Sequence, residues 1–180
     1  MTTTVGRGAV EDRYSVFPPE LQEALRSFSS RGGSLLVSGA YIGTDVWSGI
    51  YPVATDSLLR ESTERFVEEV LGYRWLTNHG TYTGQAAPMR NSMMDLDGCL
   101  VGICREIGAE TYCVENPDGI VPAGSDAVTV LRYTLNDVPA AVCADKGGYK
   151  VVSFGFPLET VTDRATMDTL FRKALEFFRK

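Results

Sequence analysis

At 180 residues, 44% of them hydrophobic, the chain is long enough to bury one substantial core and reads as one domain. Its 23 acidic and 17 basic side chains give a net charge of -6, which opposes phosphate backbones and anionic membrane surfaces and excludes nucleic acid as an expected partner. No apolar run approaches the ~20 residues that span a bilayer, so an integral membrane protein is not expected.

Residues 1 to 16 are polar and aperiodic and read as an arm or loop, with one domain over 17–180. Met1 to Asp12 lacks the apolar block of a leader. The chain as it stands therefore reads as cytoplasmic; as the C-terminal part of a larger secreted protein, it would be extracellular or periplasmic. Pro18 and Pro19 stand where a helix starts, and Leu21, Leu25 and Phe28 recur at helical spacing before Gly32-Gly33 ends the pattern. Leu35, Leu36 and Val37 then form an unbroken apolar run, the pattern of a strand buried on both faces at the centre of a sheet.

A second helix is expected from about Asp56 to Leu71, with Leu58, Leu59, Phe66, Val67, Val70 and Leu71 on one face and Gly72 as its stop. Tyr73 to Leu76 begins a strand. Thr81 to Met94 has no clear period. Cys99 to Cys104 and Thr111 to Val114 are short strand candidates, and Val128 to Leu135 and Ala140 to Ala144 flank an Asn136-Asp137 turn like the arms of a hairpin. Tyr149 to Phe154 is a further apolar strand, placed beside Leu35 to Val37. A helix from about Asp163 to Phe178 closes the chain, capped by Asp163, with Met167, Leu170, Phe171, Ala174, Leu175 and Phe178 as its buried stripe. The sum is an α/β domain with helices on both faces of a mixed sheet and an antiparallel extension. A doubly wound domain normally opens with a strand, so an initial βα portion is expected to be missing or to come from another segment.

The four cysteines, Cys99, Cys104, Cys113 and Cys143, lie in apolar segments without a Cys-x-x-Cys pair and read as small buried hydrophobes. Asp95 and Asp97 in Asp-Leu-Asp-Gly lack the remaining ligands of a calcium loop. Neither a metal nor a cofactor is expected.

Leu35-Leu36-Val37-Ser38-Gly39-Ala40-Tyr41-Ile42-Gly43 runs a strand into Gly-x-Tyr-x-Gly, the shape of an elbow that lifts one side chain above a sheet. The lifted residue is Tyr41, a phenol of pKa near 10 and a poor acyl nucleophile. Asp45 follows four residues later. Glu115 and Asp118, in Glu-Asn-Pro-Asp-Gly, end another strand candidate, and His79 is the only histidine. Carboxylates at strand ends suit acid-base or cation-binding work and equally form turns and caps.

The elbow, together with Val151-Val152-Ser153-Phe154-Gly155-Phe156-Pro157-Leu158-Glu159, resembles the class I glutamine amidotransferase-like superfamily, whose elbow is Gly-x-Cys-x-Gly and whose later strand runs into Phe-His-Pro-Glu. The resemblance implies a three-layer, flavodoxin-like fold with a mostly parallel sheet. It sets Tyr41 in place of the cysteine and Phe156 in place of the histidine, with Glu159 one residue past the acidic position. Phenylalanine exchanges no proton, so glutamine hydrolysis is not expected. Within the superfamily, Phe17 to Trp47 and Ala140 to Phe178 look like domains of secreted xanthan lyase-like, polysaccharide-processing proteins of gut bacteria.

These readings converge on a noncatalytic amidotransferase-like domain of a carbohydrate-processing protein, with a binding or architectural role. Its ligand residues are expected to be Tyr41, Asp45, Glu115, Asp118, Phe156 and Glu159, against a saccharide. Two alternatives stand beside it. One is a polysaccharide lyase or hydrolase using Tyr41 with Asp45, Glu115 or His79, since tyrosine and histidine suit proton abstraction alpha to a carboxylate. The other is an interaction module completed by a second copy or by neighbouring domains of a longer chain.

Overall fold

A computed structural model of the chain describes residues 15–47, 57–90, 92–106 and 112–180. Most of the arm, the expected helix start at Asp56 and the expected strand start at Thr111 lie outside the described residues. Val16 and Phe17 are already core residues, 5% and 3% exposed.

Helix α1 (Pro19–Ser30) opens on a proline at its first position, where a missing N–H is harmless, and stops before Gly32, whose φ of 86° lies in the left-handed region. Its inner face differs from the periodic expectation. Gln22 and Ser29 are buried, Leu21 and Leu25 half-buried, and Phe28 turns outward. Gln22 can be buried because its Nε2 donates to the Phe17 carbonyl at 2.8 Å and to Thr63 Oγ1 at 3.0 Å, which pins α1 to the next long helix.

That helix, α3 (Ser57–Phe66), continues into a π-helical turn, Val67–Leu71, closed by the Gly72 N–H on the Val67 carbonyl. Phe66, Val67, Val70 and Leu71 are buried, but Leu58, expected on the same face, is 73% exposed because the first turn of α3 extends beyond the core. The last helix, α4 (Arg164–Arg179), is capped as expected, with Asp163 Oδ2 accepting from the Thr166 N–H at 2.7 Å. Its buried line is Leu170, Ala174 and Phe177, and Phe171 and Leu175 face outward. Among the described residues no helix is long and apolar enough to cross a membrane.

The strands are β1 (Leu35–Ser38), β2 (Tyr73–Thr77), β3 (Gln85–Pro88), β4 (Val101–Gly102), β5 (Gly119–Pro122), β6 (Ala127–Tyr133), β7 (Pro139–Asp145) and β8 (Lys150–Phe154). Six of them form a sheet in the order β1-β8-β7-β6-β3-β4, and β2 pairs antiparallel with β5 in a second, two-stranded sheet. The α/β class is thus observed, but the expected mostly parallel sheet is corrected: β1 and β8 run parallel, whereas β8-β7, β7-β6, β6-β3 and β3-β4 are antiparallel. The reason is connection length. β6, β7 and β8 follow one another through tight turns, one carrying Asp137 at φ 59° and one Gly147 at φ 78°, and a tight turn can only join antiparallel neighbours.

A second correction concerns β1. Leu35 does pair with Val151 and Leu36 with Val152, but β1 ends the six-stranded order while β8 lies inside it. The apolar run of β1 is explained by cover on both faces rather than by two strand neighbours. Leu35 and Val37 pack in a cluster with Leu21 and Leu25 of α1, and Leu36 packs in the other cluster with Met167, Ala174 and Phe178 of α4. Residues 112–114 form no strand.

Candidate ligand site at the elbow

Strand β1 ends at Ser38, and the Gly39 N–H still reaches the Phe154 carbonyl of β8. The chain then turns at once into the short helix α2 (Thr44–Trp47). The turn puts Tyr41 itself, not a glycine, at φ 65°. A left-handed tyrosine costs on the order of 1 kcal/mol or more, so the surroundings must over-determine it.

They do so through long-range bonds. The Tyr73 hydroxyl donates to the Ile42 carbonyl at 3.0 Å. Asp118 Oδ2 accepts from the backbone N–H of Gly43 at 2.7 Å and of Thr44 at 3.0 Å, and Oδ1 accepts from the Thr44 hydroxyl. Trp75 Nε1 donates to Thr44 Oγ1 at 3.0 Å, and a Cβ on Gly43 would lie 2.8 Å from the Trp75 side chain, which is why a glycine stands there. Burial pushes the Asp118 carboxyl up to about 6, opposed by its three hydrogen bonds.

Asp118 also anchors the other wall. Its N–H donates to the Gly155 carbonyl at 2.7 Å, and the Tyr133 hydroxyl donates to the Asp118 carbonyl at 3.0 Å. A Cβ on Gly155 would sit 2.2 Å from that same carbonyl oxygen, so the end of β8 admits only glycine at this contact. The next residue, Phe156, is fully buried, with its ring 5.6 Å from Phe154 and 6.4 Å from Tyr133, centroid to centroid. It is a core side chain. Glu159, in the 3-10 turn Leu158–Thr160, is half-buried.

Above this frame Asn116 Nδ2 donates to the Tyr41 hydroxyl at 3.4 Å. Tyr112 is half exposed, and its hydroxyl is pushed up first by burial and then by Glu159, Tyr41, Cys113 and Glu115. Tyr41 and Asn116 therefore meet beyond the carboxyl end of β1, with Glu115 next to Asn116 in the chain, on the side of the parallel pair where ligands bind in open α/β sheets.

The other sequence candidates fall elsewhere. Asp45 Oδ2 accepts from the Val16 N–H at 2.8 Å, and burial pushes its carboxyl up to about 6. It holds the segment before α1 against α2. His79 is exposed, stacks on Tyr82 at 6.0 Å and donates its backbone N–H to Thr77 Oγ1. Asp118 is 0% exposed, and its carboxylate is taken up in the frame. The pattern overlooked Tyr112 and Asn116. Asn116 stands in the same Glu-Asn-Pro-Asp-Gly turn as the two acids, and Tyr112 falls within the expected strand Thr111 to Val114. Among the described residues no cluster of three or more His, Cys, Asp or Glu side chains is placed to hold a metal ion.

No family model matches the chain. No curated protein matches it. Solved structures do resemble it. One is a cytoplasmic protein, STM3548, from Salmonella typhimurium, with TM-score 0.51 and 18% identity over 89% of this chain and 61% of that one. Another is the mmIFT52 N-terminal domain, with TM-score 0.51 and 13% identity over 91% of this chain and 72% of that one. The chain thus spans 61% of the length of the Salmonella protein. At such identities the likeness concerns the fold alone. Neither bears the name of an amidotransferase or of a xanthan lyase.

Proposed function

We propose that the chain is a noncatalytic, amidotransferase-like binding domain whose ligand, a saccharide, packs on Tyr41 and Tyr112 beside Glu115, Asn116 and Glu159. The observation that carries the reading is the burial of Phe156: the place of the base holds a ring that has no exchangeable proton and is sealed in the core. The elbow shape remains, with Tyr41 at φ 65°, so the feature that would present a nucleophile presents an aromatic ring instead. Aromatic faces, an amide and carboxylates suit a sugar, whose C–H face packs on a ring while its hydroxyls bond to acceptors and donors. The flavodoxin-like ancestry belongs to this same proposal, supported by the strand, elbow and helix order of β1 and α2. The alternative that makes Tyr41 an acid-base catalyst with Asp45, Glu115 or His79 draws less support at Asp45 and His79, because the contacts of those two lead to Val16, Thr77 and Tyr82.

The test is an NMR titration with a panel of neutral, amino and acidic oligosaccharides. Shifts centred on Tyr41, Tyr112 and Asn116, lost in Tyr41→Ala, are expected. Shifts confined to a remote surface, or none with any sugar, reject the reading.

A further inference from the structure

We infer that the open edge of β1 is a contact between two copies of this chain: β1 pairs antiparallel with β1 of a second copy, and α1 and α4 each meet their own counterpart across the two-fold axis. The two ends of the six-stranded sheet differ. At the β4 end the Thr162 N–H donates to the Gly102 carbonyl at 3.0 Å and Ile103 bridges Val161, so that edge is covered. Among the described residues no strand lies beyond β1. The Gly39 N–H reaches β8, so by the alternation of a parallel ladder the Leu36 N–H and carbonyl point away from β8, toward the open side. Leu35-Leu36-Val37-Ser38 carries no charge and no proline, the devices by which solvent-facing edges escape pairing.

Both helices that cover β1 turn an apolar flank past it. On α4 the buried line is Leu170, Ala174 and Phe177, and on one flank of it Lys173 reaches Asp95 at 3.4 Å, in the segment between β3 and β4. At about 3.6 residues per turn the opposite flank, on the β1 side, carries Phe171 and Leu175, which are 41% and 52% exposed. On α1, Gln22 and Arg26 reach Thr63 and Phe66 of α3. The flank away from α3 carries Leu21, Leu25 and Phe28, and the half-exposed Phe28 ring lies against Gly33 just before β1. An added strand would be covered by these two stripes on both faces.

Charge points to a second copy as the occupant. A two-fold axis normal to the sheet sets α4 antiparallel to its counterpart, with Phe171 against the partner's Leu175, and this register brings Asp168 opposite the partner's Arg179. On α1, an axis level with Leu25 brings Glu20 opposite the partner's Arg31. All four charged residues are exposed. Symmetry repeats each pair, so every facing charge meets its opposite while the apolar stripes meet their own kind.

Sedimentation equilibrium of the full chain, from about 1 to about 500 μM, should show a reversible dimer with a Kd on the order of 10 μM or tighter. Amide exchange at Leu36 should slow as concentration rises. Phe171→Lys with Leu175→Lys, both at exposed positions, should keep the native circular dichroism and weaken the dimer by at least about tenfold. Asp168→Arg should weaken it severalfold, and adding Arg179→Asp to the same chain should restore most of the loss, because the swapped charges again face each other across the axis. If the lysine variant loses its native circular dichroism, the Asp168 and Arg179 variants alone decide. A chain that stays monomeric over the whole range, or a dimer whose Kd is unmoved by the lysine variant or by Asp168→Arg, overturns the inference.

Discussion

Asp118 and Thr44, separated by 74 residues in sequence, are joined twice: one carboxylate oxygen of Asp118 accepts the Thr44 N–H and the other accepts the Thr44 hydroxyl. With Gly43 on the same carboxylate, this contact fixes the turn that holds Tyr41 in its left-handed conformation.

Removing the carboxylate should therefore release the elbow. Asp118→Ala leaves two buried N–H groups and a hydroxyl without their acceptor and is expected to cost about 2 to 4 kcal/mol. Asp118→Asn keeps an acceptor for Gly43 and Thr44 and should cost less than half of that. Urea unfolding followed by tryptophan fluorescence measures both, since Trp75 is bonded to Thr44. Equal losses in the two variants would count against the hydrogen-bond account.

Stability should fall as pH rises from about 4 to about 6. Asp45 and Asp118 are both held up at about 6, mainly by burial, against 3.8 in the free side chain. A carboxyl raised on folding contributes stability that is fully present below its unfolded value and is lost as pH climbs through the folded one. Asp95, Asp163 and Glu176 are lowered by hydrogen bonds and ion pairs and act with the opposite sign, mainly below about pH 4.5, where their exposure keeps the effect small. Chemical denaturation at several pH values should show the decline, and Asp118→Asn should reduce it. A profile that rises steadily from pH 4 to 7 would contradict the assignment.

Tyr41→Gly should leave stability within about 1 kcal/mol of the parent or raise it, because glycine relieves the left-handed strain. The same change should abolish ligand shifts at the elbow. A loss above roughly 2 kcal/mol would mean that the ring holds the fold together rather than serving a surface.

Ser153 lies on β8, fully buried, and its hydroxyl has no hydrogen-bond partner among the described residues. Ser153→Ala should thus be neutral or stabilising by up to about 1 kcal/mol, a rise in Tm of roughly 2 to 4 °C. Calorimetry reads it directly, and a clear fall in Tm would show that the hydroxyl is satisfied in solution.

Ammonia release from glutamine should be absent in the parent and in a Tyr41→Cys, Phe156→His double variant. A histidine at 156 would be buried between Phe154 and Tyr133, where a polar ring without partners costs on the order of 2 kcal/mol and is held away from solvent. Measurable turnover in the parent would overturn the noncatalytic reading, and turnover in the double variant would show that position 156 does reach the elbow.

The three long helices of this chain could be read from the sequence because their signals are local, whereas the short α2 was not. Pro19 opens α1, Gly72 stops the π-helical turn after α3, and Asp163 caps α4, each through contacts within a few residues. The elbow could also be read, since a strand followed by Gly-x-Tyr-x-Gly is contiguous in the chain. The hairpin turns were visible too, but the weight they carry in the sheet was not: an apolar run such as Leu35 to Val37 is the same whether two strands or two helices cover it. Only the tertiary structure decided that β1 lies at the end of the six-stranded order under α1 and α4. The site divides in the same way. Tyr41 and Glu115 stand out by residue type and position, but the partners of Asp118 and Asn116 lie 75 residues away in the chain, and nothing in their own neighbourhoods encodes which segment they meet.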